Sequence, residues 1–391
     1  MALDYGRDAE KIDAENAKVK NLIGQAHFFL GDYQQAAEDF AEAKKRDPDA
    51  KTTLDRHGKC VIDVADLTDW NLAVASLNKL IAADNAQPQF YLDRGYAFLQ
   101  LNEWEQALAD FNKALEAAPE NATAYGYRGA TLAALERFDE ALADIDRAVE
   151  RSPEYAQFWL IRGNVKGSVQ DFEGSVADLT EAIRLHPKSA KAYCLRASGL
   201  MEMGRNDETA SDLDQALELI PEYAEAHYLK GMIARSKGSD EQAIVDFTKA
   251  IRYDAARSRY YRVRGITYAD LDRKSEALAD FNRALKLDPT DVHALAARAG
   301  VQDDFGAALD DMSAALKIVP DNALLYLSRA ILFLEHKEYP LALADAANAE
   351  KLIPGSALII QLRAEIYDQM GESEKAEEEY RKLERIELDN K

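Results

Sequence analysis

The stretch from Tyr91 to Pro119, YLDRGYAFLQLNEWEQALADFNKALEAAP, is followed by YGYRGATLAALERFDEALADIDRAVERSP from Tyr125 to Pro153. WLIRGNVKGSVQDFEGSVADLTEAIRLHP then runs from Trp159 to Pro187, and YCLRASGLMEMGRNDETASDLDQALELIP from Tyr193 to Pro221. Each copy starts 34 residues after the one before it. Within a copy, apolar positions recur at helical spacing, as in Ala107, Phe111, Ala114 and Leu115. Small residues at fixed offsets let two helices approach closely, where a larger side chain would overpack. The closing proline stops the second helix and sets the turn into the next copy. One copy cannot bury its own apolar faces, so copies must stack on their neighbours.

The register extends in both directions. Pro48 closes an earlier copy, and Pro289, Pro320 and Pro354 close later ones. Repeats are placed at 17–50, 51–87, 88–121, 122–155, 156–189, 190–223, 224–257, 258–291, 292–322, 323–356 and 357–390, with residues 1–16 as an N-terminal extension or cap. A large residue opens the first helix (helix A) at Tyr91, Tyr125, Trp159, Tyr193, Tyr261 and Tyr326. Four residues later stands a small one: Gly95, Gly129, Gly163, Ala197, Gly265 and Ala330. In the second helix (helix B) small residues recur at positions such as Ala107, Ala141 and Ala277, and seven further on at Ala114, Ala148 and Ala284. In period and in these residues the chain resembles the tetratricopeptide repeat family over nearly its whole length. The resemblance implies an all-α fold, a right-handed α-solenoid superhelix of antiparallel helix pairs, treated as one domain over 17–390. It implies a non-enzymatic scaffold or adaptor that holds a partner peptide or domain in a concave groove. Two other readings stay open: chaperone-like capture of unfolded or translocating clients, and the targeting region of a larger enzyme.

Two copies break the spacing. Gly58 to Ala73 in the second repeat is three residues longer than standard, and Ala299 to Ala308 in the ninth is three shorter. Each is close to one helical turn. Drift in a loop or helix end is the simpler expectation; a local change of path or a hinge is the functional one. The last repeat ends in GESEKAEEEYRKLERIELDNK, whose charges suit the polar outer face of a terminal cap.

Composition narrows the partners. The formal net charge is −22, and 47% of the residues are hydrophobic. Such an acidic chain is expected to bind no nucleic acid, because phosphate contacts need a basic footprint. The expected partner is a protein or peptide that is basic or carries apolar anchors. No apolar run approaches membrane-spanning length. The polar N-terminus and two distant cysteines, Cys60 and Cys194, fit the cytoplasm, or a periplasmic or secretory lumen if a signal peptide was removed. The six histidines show no ligand spacing, and no nucleophile, P-loop or dinucleotide motif occurs, so neither catalysis, metal nor cofactor is expected.

Two patterns compete as functional candidates. A basic residue precedes the small residue of helix A at Arg94, Arg128, Arg162, Arg196, Lys230, Arg264, Arg298, Arg329 and Arg363. An acid follows sixteen positions later at Asp110, Asp144, Asp178, Asp212, Asp246, Asp280 and Asp345. Repetition at every level predicts a structural ladder of ion pairs between stacked helices. The acid pairs Asp303-Asp304 and Asp310-Asp311 in the shortened repeat read as chance in so acidic a chain. The better candidate is the groove, which in the family is lined by the second, fifth, ninth, twelfth and thirteenth residues of each repeat. The residues taken as partner-binding are Gln89, Leu92, Tyr96, Leu99, Thr123, Tyr127, Gln157, Leu160 and Asn164, then Met201, Tyr228, Met232 and Arg235. The groove positions of repeats three to five carry no charge, although 30% of the chain is charged. The family's Lys, Asn and Arg clamp for a terminal carboxylate is not reproduced; its nearest match puts Lys18, Asn21, Arg56 and Lys59 beside Asp93, which would repel the ligand.

Overall fold

The computed structural model describes residues 69–82 and 88–389. The extension 1–16, the first repeat, and the part of the second that holds Gly58 lie outside the described residues. The chain divides into two compact units, Met1–Arg205 and Asn206–Lys391. In the first, the described helices are α1 (Asp69–Ala82), α2 (Pro88–Gln100), α3 (Trp104–Ala117), α4 (Ala122–Ala134), α5 (Phe138–Arg151), α6 (Ala156–Ser168), α7 (Phe172–Leu185) and α8 (Ala190–Glu202). The second holds α9 (Asn206–Leu219), α10 (Ala224–Ser236), α11 (Asp240–Tyr253), α12 (Ser258–Asp270), α13 (Lys274–Leu287), α14 (Val292–Ala299), α15 (Phe305–Ile318), α16 (Ala323–Glu335), α17 (Tyr339–Leu352), α18 (Ala357–Met370) and α19 (Ser373–Asp389). Among the described residues there is no strand. Within each unit, a helix A packs on the helix B that follows it, as in α4 on α5 and α12 on α13, and a helix B packs on the next helix A.

Local chemistry sets the boundaries. Asn121, Ser189, Asp291 and Asn322 cap A helices, each accepting a backbone N–H of the first turn. Helix B ends two residues before the proline. Its cap residue, such as Ala118 (φ −137°, ψ 75°) or Ser152 (φ −142°, ψ 69°), leaves the helical region, as a residue preceding proline must. The turn from A to B passes through one left-handed residue: Asn102, Glu136, Gln170, Gly204, Gly238, Asp272, Lys337 or Gly371. An L-residue with a side chain is strained there by about 1–2 kcal/mol. Glu136 (φ 59°) is exposed, so Glu136→Gly is expected to stabilise the first unit by ~1 kcal/mol. A rise in urea midpoint at constant slope would register it.

The core lies between A and B helices. The residue after most ladder aspartates is large and buried, as with Phe111, Ile145, Leu179, Phe247 and Phe281. It meets the small residue of helix A face to face. A Cβ on Gly129 would lie 2.4 Å from Ile145 Cγ1, and one on Gly231 would lie 2.5 Å from the Phe247 ring. In the tenth repeat helix A has Ala330 instead, and the facing position shrinks to Ala346, both fully buried.

The ninth repeat departs at one place. Its helix A, α14, has 8 residues where α12 and α16 have 13. Its cap, Gly300, is right-handed (φ −72°), and no left-handed residue follows before α15. The three missing residues are therefore the last turn of helix A.

Candidate functional site

The basic residues of helix A form a clasp on three helices. Arg128 on α4 donates from Nε and Nη2 to both oxygens of Asp144 on α5, at 2.6 and 2.8 Å. Its Nη1 reaches Asn112 on α3, in the preceding repeat, at 2.8 Å. The arrangement repeats for Arg94 with Asp110 and Asn78, Arg162 with Asp178 and Asp146, Arg264 with Asp280 and Thr248, and Arg329 with Asp345 and Ser313. The guanidinium of Arg94, Arg128, Arg162 and Arg329 also lies over the aromatic ring three residues before it, as Arg162 does at 4.7 Å from the Trp159 centroid, whereas Arg264 lies over Tyr268. The bidentate carboxylate beside Arg128 raises its pKa further above the usual value.

This corrects the expected ladder in three respects. The carboxylate link joins the two helices of one repeat, and the separate Nη1 bond joins consecutive repeats. Lys230 lacks the fork: it bonds Asp214 at 2.9 Å, and Asp246 takes Gln242 and Lys249 instead. In the shortened repeat the acids are not incidental. Arg298 is clasped by Asp311, thirteen residues on, and Asp304 caps α15. The second partner of the clasp was legible as a small polar residue two past most of the aspartates (Asn112, Asp146, Thr180, Thr248, Asn282), a signal that pair-counting overlooks.

On the A-helix face of the first unit, some expected groove residues are core. Leu92 and Leu160 are 2% and 7% exposed and pack in the A–B core, so they offer no surface to a partner. Leu99 leans on the same core, half-buried. Tyr96 and Tyr127 come together, ring centroids 4.8 Å apart, with Trp70 edge-on to Tyr96 at 5.6 Å. Burial raises the Tyr127 phenol well above its ordinary pKa, and the neighbouring Tyr96 and Tyr155 hydroxyls add to the shift. Gln89 donates to Asp93 at 2.8 Å, Thr123 is half-buried and Gln157 is exposed. Asn164 and Ser168 are exposed beside a cavity of about 220 Å³ that also touches Gly167, Ser198 and Gly199. Small side chains along α6 and α8 leave that space open. Met201 is half-buried further along α8.

In the second unit Tyr228 lies under Arg259, 5.1 Å from its ring centre, and against Tyr260 at 5.2 Å. Tyr260 is buried and donates to Glu225 at 2.8 Å, which lifts its pKa. Met232 packs beside Phe247 in the core, and Arg235 is neutralised by Asp270 at 2.8 Å. These three positions are therefore largely engaged within the fold. His227 occupies the place that Trp159 holds in its own repeat, and both reach a proline carbonyl six residues back, at 2.9 and 2.7 Å. Among the described residues no cluster is arranged to hold a metal ion, and no helix is long and apolar enough to cross a membrane.

Family profiles described as tetratricopeptide repeat match residues 17–50, 88–121, 128–165, 194–251, 258–291 and 358–390. The chain belongs to the tetratricopeptide repeat family. Its repeats make it a protein-interaction scaffold in general type. Among solved structures of this fold, a chain of the APC/C hetero-tetramer Cut9–Hcn1 matches with TM-score 0.58 and 15% identity, over 98% of this chain and 78% of that one. The monomeric IFIT1 mutant solved with m7Gppp-AAAA matches with TM-score 0.56 and 17% identity, over 97% and 94%. Among curated proteins, none matches the tetratricopeptide chain in sequence.

Proposed function

We propose that this chain is a non-enzymatic scaffold that binds a protein segment on the uncharged A-helix face of its first unit. The observation that carries the reading is the cavity beside Asn164 and Ser168, floored by glycine and serine, in a molecule of net charge −22. Small residues let a backbone approach closely, and uncharged hydrogen-bonding groups suit an extended peptide. The half-buried Tyr96–Tyr127 pair adds amphipathic contact area of the kind that anchors interfaces. The nucleic-acid ligand of the IFIT1 structure does not carry over at 17% identity, and the acidic charge opposes a polyanion.

The test places charge where the side chains are exposed and the fold is indifferent. Asn164→Arg with Ser168→Arg should leave the melting curve unchanged. In affinity capture from the native cell it should lose the partner that the unmodified protein retains, by at least about tenfold. Retention of every partner at full affinity would remove this face as the site. Capture of many unrelated unfolded chains would support the chaperone-like alternative.

A further inference from the structure

The missing turn of α14 leaves a cavity of about 500 Å³ in the second unit. That is more than twice the 220 Å³ at the corresponding place between α6 and α8. The two cavities occupy the same position in the repeat, between consecutive A helices and above the first turn of the intervening helix B. In the fifth repeat the space comes from small side chains. In the ninth it comes from lost backbone, and large apolar side chains line the space together with Gln302, Asp303, Ser328, Glu335 and His336. Ala299, Phe305 and Met312 form one side, with Ile331 and Leu332 of α16 opposite. Ile331 is 46% exposed, although it lies on the same helix face as the cavity-lining Ser328 and the 62% exposed Leu324. His336 closes one end, stacked on Phe305 at 4.0 Å and held to the Leu332 carbonyl at 3.0 Å.

The rim is acidic. Asp303 and Glu335 both border the opening. The cation nearest in contact, Lys274, meets Asp303 at 3.5 Å with both side chains in solvent, where such a pair is weak. A socket of this size, with Phe305, Met312, Ile331 and Leu332 on its walls, has room for one bulky apolar side chain, since cavities of about 300–1,000 Å³ accommodate ligands with an apolar body and a few polar contacts. Carboxylates at its mouth select positive charge on either side of that anchor.

We infer that the shortened ninth repeat is a docking socket for a peptide segment that presents one aromatic or large aliphatic side chain flanked by lysine or arginine. The site shares no residue with the first-unit face, so either reading can fail without the other. It also gives the three-residue break a role that drift would not.

The test uses nine-residue acetylated peptides and methyl NMR of the full chain. The first has a central phenylalanine between two lysine pairs, the second replaces the phenylalanine with alanine, and the third replaces the lysines with glutamates. The lysine–phenylalanine peptide should shift the Ile331, Leu332 and Met312 methyl resonances saturably. The other two should bind at least about fivefold more weakly. Ile331→Asp, at an exposed position that folding tolerates, should weaken the first peptide about tenfold. Asp303→Lys with Glu335→Lys should transfer the preference to the glutamate-flanked peptide. Inserting three residues after Ala299 to rebuild the turn should abolish all three responses, while Asn164→Arg with Ser168→Arg should change none. Absence of shifts at these methyls, or equal affinity for the unmodified chain and Ile331→Asp, would overturn the inference. Equal binding of the alanine and phenylalanine peptides would do the same.

Discussion

Gly129→Leu should lower the melting temperature of the first unit by roughly 6–12 °C, the consequence of about 3 kcal/mol or more of overpacking in a domain of this size. The added side chain has no room at this position. Its Cβ alone would stand 2.4 Å from Ile145 Cγ1 and 2.9 Å from the Ala141 carbonyl oxygen. Ile145 is fully buried and cannot swing clear, and the carbonyl belongs to the backbone of α5. Relief therefore requires α4 and α5 to separate, which loosens Ala141 and Ala148 as well. Gly300→Ala is the control, because its Cβ would find only ordinary contacts at 3.6 Å or beyond; its transition should move by less than about 2 °C. Thermal unfolding by circular dichroism measures both. An unchanged melt for Gly129→Leu would mean that the two helices are not in this contact.

Asp144→Ala should cost about 3 kcal/mol. The carboxylate is 6% exposed and accepts two charge-assisted bonds from Arg128, itself 21% exposed. Removing it leaves a guanidinium between α4 and α5 with only Asn112 as a hydrogen-bonding neighbour. The informative comparison is the double variant Arg128→Met with Asp144→Leu. Replacing both partners by apolar groups avoids the stranded charge and is expected to recover most of the loss. Urea denaturation of the single and double variants decides it. If Asp144→Ala and the double variant were equally unstable, the cost would be lost packing rather than an uncompensated ion.

The period carried most of the fold. Thirty-four residues between equivalent prolines place each helix A against its helix B, so Gly129 opposite Ile145 and Arg128 opposite Asp144 could be read at a constant separation of sixteen. Counting failed where the backbone count changed: Asp311 replaced the expected offset because three residues had gone from α14. The groove was less legible because its positions are not equivalent. Leu92 and Leu160 share the fifth place of their repeats and both are buried against helix B, while Asn164, at the ninth, stays in solvent. Nor could pattern reveal whether Tyr228 and Arg235 were available, because Arg259 and Asp270, which engage them, come from the following repeat.

The clasp has a direction. Arg94, Arg128, Arg162, Arg264, Arg298 and Arg329 each bind the helix B of their own repeat and reach back to that of the repeat before, and none of these bonds goes to the helix B of the repeat after. Within either unit, a repeat shed from the C-terminal end takes its own clasp with it and leaves the remaining ones whole. A repeat shed from the N-terminal end instead deprives the next arginine of its backward bond. Fraying is thus asymmetric, and a chain emerging N-terminus first completes each clasp as soon as its own repeat has formed.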